Sequence, residues 1–391
     1  RYKLLRKAYE RSNISQNPEF RTFQEENAWW LDDYALFMAV KGFFQDECWD
    51  KWPEDIKKRY GYALDYYREQ LYFEIEFQKY MQFEFSIQWK KLKTYANENG
   101  IRIIGDIPIY VAYDSADTWA HPELFQLDEE NVPLAVAGCP PDGFAADGQL
   151  WGNPLYRWDY HRRTGYTWWM QRLSYAFYLY DVVRIDHFRG FDEYFSIPYG
   201  DTTARNGHWE KGPGIELFHR MKEVLGERDV IAEDLGYVTD SVRQMVFESG
   251  FPGMKVFEFA FDSRDTGCAG DYLPHNYPIN SVVYTGTHDN ATLIGWYQDI
   301  PKEGREMLRD YIHDYTTSDR SLHWSVICRV MGSPARICMI PMQDYLGLNN
   351  TCRINTPSTL GTNWKWRLLD GEFTSDLQNK IKKLVRIYQR N

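Results

Sequence analysis

The sequence predicts an α/β fold built on a parallel sheet. Three observations carry that reading. The first hundred residues place apolar side chains at three-and-four spacing, the period of amphipathic helices. From residue 101 short apolar runs alternate with helical stretches, the rhythm of strand–helix–strand units. Each of those runs ends in polar or charged residues, so each strand delivers polar side chains at its end.

Taken in order, "NAWWLDDYALFMAVKGFF" and "EQLYFEIEFQKYMQFEFSIQWKKLKTYANENG" predict helices. The second stops at Asn97, Asn99 and Gly100, a C-cap signal. Residues 1–100 are therefore expected as a helical subdomain and 101–391 as the sheet-bearing portion. Strands are expected in "IRIIGDIPIY" (101–110), "VVRIDHF" (182–188), "DVIAEDLG" (229–236), "MKVFEFAFD" (254–262), "SVVYTGTHDN" (281–290) and "ARICMIPMQD" (335–344). "GIELFHRMKEVLGE" and "TDSVRQMVFESG" read as intervening helices. Residues 111–180 form a long excursion that includes the Gly-, Pro- and Asp-rich "AGCPPDGFAADGQLWGNPLY", expected as a binding loop or lid. Six strands fit an open doubly wound sheet or part of an eight-stranded barrel. No G-x-G-x-x-G or P-loop follows any of them, which leaves a nicotinamide or phosphate enzyme without its usual support.

Composition narrows the function classes. The chain's 391 residues exceed the usual single-core size, so two domains or one elaborated barrel are both open. Its 15 Trp and 29 Tyr serve either an aromatic core or a surface on which sugar rings stack. The net charge of −11, without a Lys/Arg block, argues against a nucleic-acid partner. Cys48, Cys139, Cys268, Cys328, Cys338 and Cys352 are scattered and form no C-x-x-C pair, so no zinc site is expected. They read as reduced thiols of a cytoplasmic protein. No apolar run is long enough to cross a bilayer. The chain opens inside a helical pattern, and a longer parent protein is expected.

"YDVVRIDHFRG" raises the question of function. Side chains alternate along a strand, so Arg184 and Asp186 share a face with Val182, and Val183 and Ile185 take the other. Arg184 beside Asp186 favours the ionised carboxylate, a nucleophile or electrostatic stabiliser. Glu233 ends the next strand, and His288 with Asp289 end a later one. Recurrent carboxylates at strand ends suit a retaining glycosidic reaction, which needs a nucleophile and a proton donor that later acts as base. Each also has a structural rival: Asp186 as an ion-pair partner of Arg184 or Arg189, Glu233 as a cap for a helix starting near Asp234, His288 as a rim histidine. Asp106, Asp234 and Glu258 are carboxylates of similar placement.

Over essentially all its length the chain resembles the 4-alpha-glucanotransferases of the amylomaltase family, glycoside hydrolase family 77. "GDIPIYVAYDSADTW", "PPDGFAADGQLWGNPLY", "VVRIDHFRGF", "IAEDLG", "FPGMKVFEFAFD", "YTGTHDN" and "RINTPSTLGTNWKWR" carry the resemblance, in that order. It implies a (β/α)8 barrel of the α-amylase-like type with helical insertions, here lacking its first two strands. It implies Asp186 as nucleophile, Glu233 as general acid/base and Asp289 as transition-state stabiliser. Arg184, His288, Asp106 and Asn290 are implied substrate-binding residues, with Phe144 and Trp151 as stacking residues of an acceptor-side loop. The implied partners are α-1,4-glucans such as maltooligosaccharides, starch or glycogen dextrins, with a second chain as one way to complete the barrel. No cofactor or metal is implied. An α-glucan hydrolase and a non-catalytic glucan-binding fragment are the alternatives.

Overall fold

The computed structural model of the chain describes residues 2–141, 146–236, 238–261, 269–357 and 359–390. It divides into two compact units. One comprises Arg1–Pro141 with Asp147–Val230, and the other is built mainly from Ile231–Asn391.

The first unit begins with helices, as the apolar spacing predicts. Helix Pro18–Phe43 starts where the Asn17 side chain accepts the N–H of Glu19 at 2.8 Å, with Pro at the first helical position. Its Phe20, Phe23 and Leu31 pack against Phe77, Tyr80 and Phe83 of helix Tyr72–Glu98. That helix ends at the predicted C-cap: Gly100 takes φ +72° and donates its N–H to the Asn97 carbonyl at 2.9 Å. A second cluster gathers Phe37, Trp49, Trp52 and Trp119, with Trp119 donating its indole N–H to the Ile56 carbonyl at 3.0 Å. Trp49, Trp119 and Trp169 are fully buried, so much of the aromatic content is core.

Six strands follow in this unit: β1 (Ile104–Pro108), β2 (Ala135–Cys139), β3 (Gln149–Pro154), β4 (Val182–Asp186), β5 (Glu193–Pro198) and β6 (His208–Lys211). β1 and β4 are parallel, with Asp106 opposite Arg184 and Pro108 opposite Asp186. β3, β2, β5 and β6 form an antiparallel sheet in that order. The excursion at 111–180, expected as loop, thus carries two strands together with helices Trp158–Arg163 and Thr167–Leu179. The strands escaped the sequence reading because "AVAGC" and "QLWGNP" are short, contain glycine and lack polar–apolar alternation. Gly148 before β3 sits at φ +69°, where a Cβ would lie 2.5 Å from the Cys139 carbonyl oxygen.

The remaining strands are β7 (Val230–Ala232), β8 (Gly253–Val256), β9 (Ser281–Tyr284) and β10 (Ile337–Met339), all but Val230 in the second unit. β7 pairs with β8, β8 with β9, and β9 with β10, each in parallel. Helix Asp240–Ser249 lies between β7 and β8, and helices Leu293–Asp299, Lys302–Ile312 and Leu322–Met331 lie between β9 and β10, sharing a core with Phe257 and Val283. The architecture is α/β, as predicted. Five of the six predicted runs contain their strand, trimmed at the polar ends, and the sixth, 254–262, misses the first residue of β8, Gly253. Among the described residues no helix is long and apolar enough to cross a membrane.

Candidate active site

In the first unit, alternation along β4 puts Arg184 and Asp186 on one side, and the β1 register brings Asp106 across from them. The buried Arg184 donates Nη1–H toward both Asp106 oxygens at 2.7 Å and lies 3.0 Å from Asp186 Oδ1. One guanidinium thus lies between two carboxylates. Asp186 keeps 40% of its side chain exposed at the strand's end, so it is accessible there. The next residue, His187, turns the chain at φ +51° into the short 3-10 helix Phe188–Phe191. A non-glycine residue in the left-handed region is strained, and such strain collects at functional sites. Burial first, and then the nearby Arg189 cation, hold the His187 imidazole down to about 3, so it is neutral at working pH. Trp151 on β3 sets its ring edge-to-face against His187 at 4.9 Å and donates its N–H to Gln149 Oε1 at 3.1 Å. About a third of Trp151 remains exposed, available for stacking. Phe144 lies outside the described residues.

In the second unit, Glu233 follows β7 directly, and its Oε1 accepts the N–H of Leu235 at 3.0 Å. It caps no helix: the next one starts at Asp240, with Thr239 as N-cap. A bond closing a two-residue turn competes with helix at Asp234. Asp234 accepts the N–H of Met254 on β8 at 2.7 Å, and burial raises its pKa. It ties the end of one strand to its neighbour. Glu258 is also buried, and its backbone N–H donates to the Thr285 carbonyl at 3.3 Å.

The loop after β9 holds His288 and Asp289. His288 Nε2 lies 3.1 Å from Asp289 Oδ2, and Asn355 Nδ2 donates to Asp289 Oδ1 at 2.5 Å. Arg353 donates to the Asp289 carbonyl. Asn290 braces the loop from within, its Oδ1 accepting the N–H of Thr287 at 2.9 Å and its hydroxyl at 2.7 Å. Trp364, at φ +62° and 57% exposed, packs its ring 5.2 Å from that of His288. Arg353, Asn355 and Trp364 were not singled out from sequence. Their stretch, "RINTPSTLGTNWKWR", carries part of the family resemblance but has no apolar period that would mark these three residues individually. Among the described residues no group of three or more His, Cys, Asp or Glu could hold a metal ion.

Chemically, the first unit supplies an arginine-paired carboxylate at a strand end. The second supplies a glutamate just after one strand and a histidine–aspartate pair after another.

The family profile described as 4-alpha-glucanotransferase matches residues 1–372. A 4-alpha-glucanotransferase of Clostridium butyricum is 47% identical over 390 residues, 99% of this chain and 79% of that protein. One from Streptococcus pneumoniae is 44% identical over 391 residues, covering 99% and 76%. Among solved structures, the amylomaltase from Streptococcus agalactiae in complex with acarbose matches with a TM-score of 0.93 at 38% identity, covering 99% of this chain and 78% of that one.

Proposed function

The chain belongs to the 4-alpha-glucanotransferase family, glycoside hydrolase family 77, and from that premise we propose how its residues carry out the transfer. The activity is transfer of α-1,4-linked glucan segments from a donor to the 4-hydroxyl of an acceptor glucan or glucose. Asp186 attacks the anomeric carbon while Glu233 protonates the departing glycosidic oxygen. The C–O bond to the reducing-end piece breaks and a glucosyl ester forms on Asp186. The acceptor 4-hydroxyl then gives its proton to Glu233 and attacks the anomeric carbon of the glucosyl ester, whose bond to the Asp186 carboxylate breaks. Two inversions retain the α configuration. Asp289 and His288 hold sugar hydroxyls through hydrogen bonds that tighten as the oxocarbenium ion develops. Asp106 and Asn290 are further sugar contacts, and Trp151 stacks on the acceptor side.

The observation that carries this reading is Arg184 lying between Asp106 and the accessible Asp186 at a strand end. In the finer architecture we propose, the parallel strands belong to a (β/α)8 barrel, with residues 1–100 as a helical insertion and 111–180 bordering the glucan cleft. A second chain is not part of this proposal.

The test is incubation of the chain with maltotriose and separation of the products. Transfer gives glucose and a ladder of longer maltodextrins. Glucose and maltose without a ladder would replace transfer by hydrolysis. Absence of turnover would leave glucan binding without chemistry.

A further inference from the structure

The loop that carries His288 and Asp289 is tied at both ends to one buried side chain. Asp344, on the short helix Met342–Leu346, is 2% exposed. Its Oδ2 accepts the Thr285 hydroxyl at 2.5 Å, and its Oδ1 accepts the N–H of Leu293 at 2.8 Å. Thr285 is the first residue after β9, and Leu293 is the first residue of helix Leu293–Asp299. The seven residues between them include His288 and Asp289. The two oxygens of a single carboxylate therefore fix where the loop leaves the strand and where it joins the helix. Asn350 adds a third tie beside the second anchor, its Oδ1 accepting the N–H of Thr292 at 3.1 Å.

We propose that Asp344 is a positioning residue for the transfer reaction, holding the His288–Asp289 loop in its working geometry through Thr285 and Leu293. The inference rests on the reading of Asp289 given above. Asp344 touches no substrate in this account. It acts by fixing the ends of a segment whose middle does. Burial pushes its pKa up to about 6 against the pull of its two donors, so a carboxylate is retained here despite its desolvation. Such a cost is accepted where the second oxygen has work that a neutral side chain cannot do equally well. An amide would offer one acceptor oxygen, and would present N–H to either the Thr285 hydroxyl or the Leu293 N–H.

The test compares maltotriose transfer by wild type, Asp344→Asn, Thr285→Val, Thr285→Ser and Asp289→Asn, well below the melting temperature of each. Asp344→Asn is expected to lower kcat by about tenfold to a hundredfold, the scale of a misplacement near 1 Å, with KM within about threefold. Thr285→Val keeps the shape, loses the hydroxyl and is expected to lower kcat several-fold. Thr285→Ser restores the hydroxyl and should recover most of the rate. Asp289→Asn should be inactive. Because Thr285→Val and Thr285→Ser bracket the same bond without touching the carboxylate, they decide the matter if Asp344→Asn fails to fold. Wild-type kcat in both Asp344→Asn and Thr285→Val, beside an inactive Asp289→Asn, would overturn the positioning role and leave Asp289 in place. Normal turnover by Asp289→Asn would remove the reading of Asp289, and the proposal with it.

Discussion

Asp186→Asn lowers maltotriose transfer by about 10⁴-fold or more. That is the expected result for the nucleophile of a covalent mechanism, because removing such a group costs on the order of 10⁴ to 10⁶ in rate. The substitution changes one oxygen to an amide nitrogen at a half-exposed strand end, so packing is barely disturbed. Arg184 keeps its two contacts to Asp106. The variant should therefore fold and melt close to wild type, and circular dichroism checks this alongside initial rates of glucose release. An intact fold with more than about a tenth of wild-type turnover would sink the assignment, since an amide cannot form the glucosyl ester.

The second large effect is on stability in acid. His161 is completely buried, with its Nε2 facing the Leu124 carbonyl at 3.1 Å and the rings of Tyr156, Trp158 and Trp168 around it. Burial holds its pKa down to about 4. In the unfolded chain a histidine titrates near 6.5, so between about 6.5 and 4 the unfolded state binds a proton that the folded state refuses. The stabilisation from the neutral ring is complete above pH 6.5 and is lost as the pH falls through that window. The gap is worth about 3 kcal/mol for this residue. His187, held down to about 3, and His323, held down to about 4 by burial and then by Lys380, act with the same sign. Asp344, pushed up to about 6, and the raised Asp234 act against them, because their protonation on acidification relieves a buried charge. His121, raised first by its hydrogen bond to Glu123, acts with the two carboxylates, so the slope measures the balance of these opposing groups. Urea unfolding at several values between pH 4 and 7 measures the slope. His161→Phe should flatten it by up to one proton, about 1.4 kcal/mol per pH unit inside the window. An unchanged slope in that variant would show that His161 takes no part.

What was legible in the sequence followed from repetition. The three-and-four spacing from Asn27 to Phe44 and from Glu69 to Gly100 marks long helices, and a period repeated over many residues outweighs local exceptions. The apolar triplets and quartets around Ile231, Val283 and Cys338 mark parallel strands, because the run is continuous. Arg184 and Asp186 on one face follow from strand geometry alone. Asp106 as Arg184's partner needed the register between β1 and β4, which no local pattern encodes. The antiparallel sheet was hidden because Gly138 and Gly152 interrupt any alternation. Asp344 ends the apolar run 335–344, but its two donors lie 51 and 59 residues away, and only the folded chain brings them together.

The sharing of Arg184 between Asp106 and Asp186 also bears on how ligands arrive. Two carboxylates beside one guanidinium place more acidic than basic groups at that strand end. A neutral glucan feels no long-range pull from it, so its capture is indifferent to ionic strength. A sugar mimic with a protonated amine near the anomeric position does feel that pull, and added salt shortens its reach to about 8 Å at physiological strength. Salt thus separates the two kinds of ligand: it leaves turnover of maltodextrins level and weakens inhibition by cationic amino sugars.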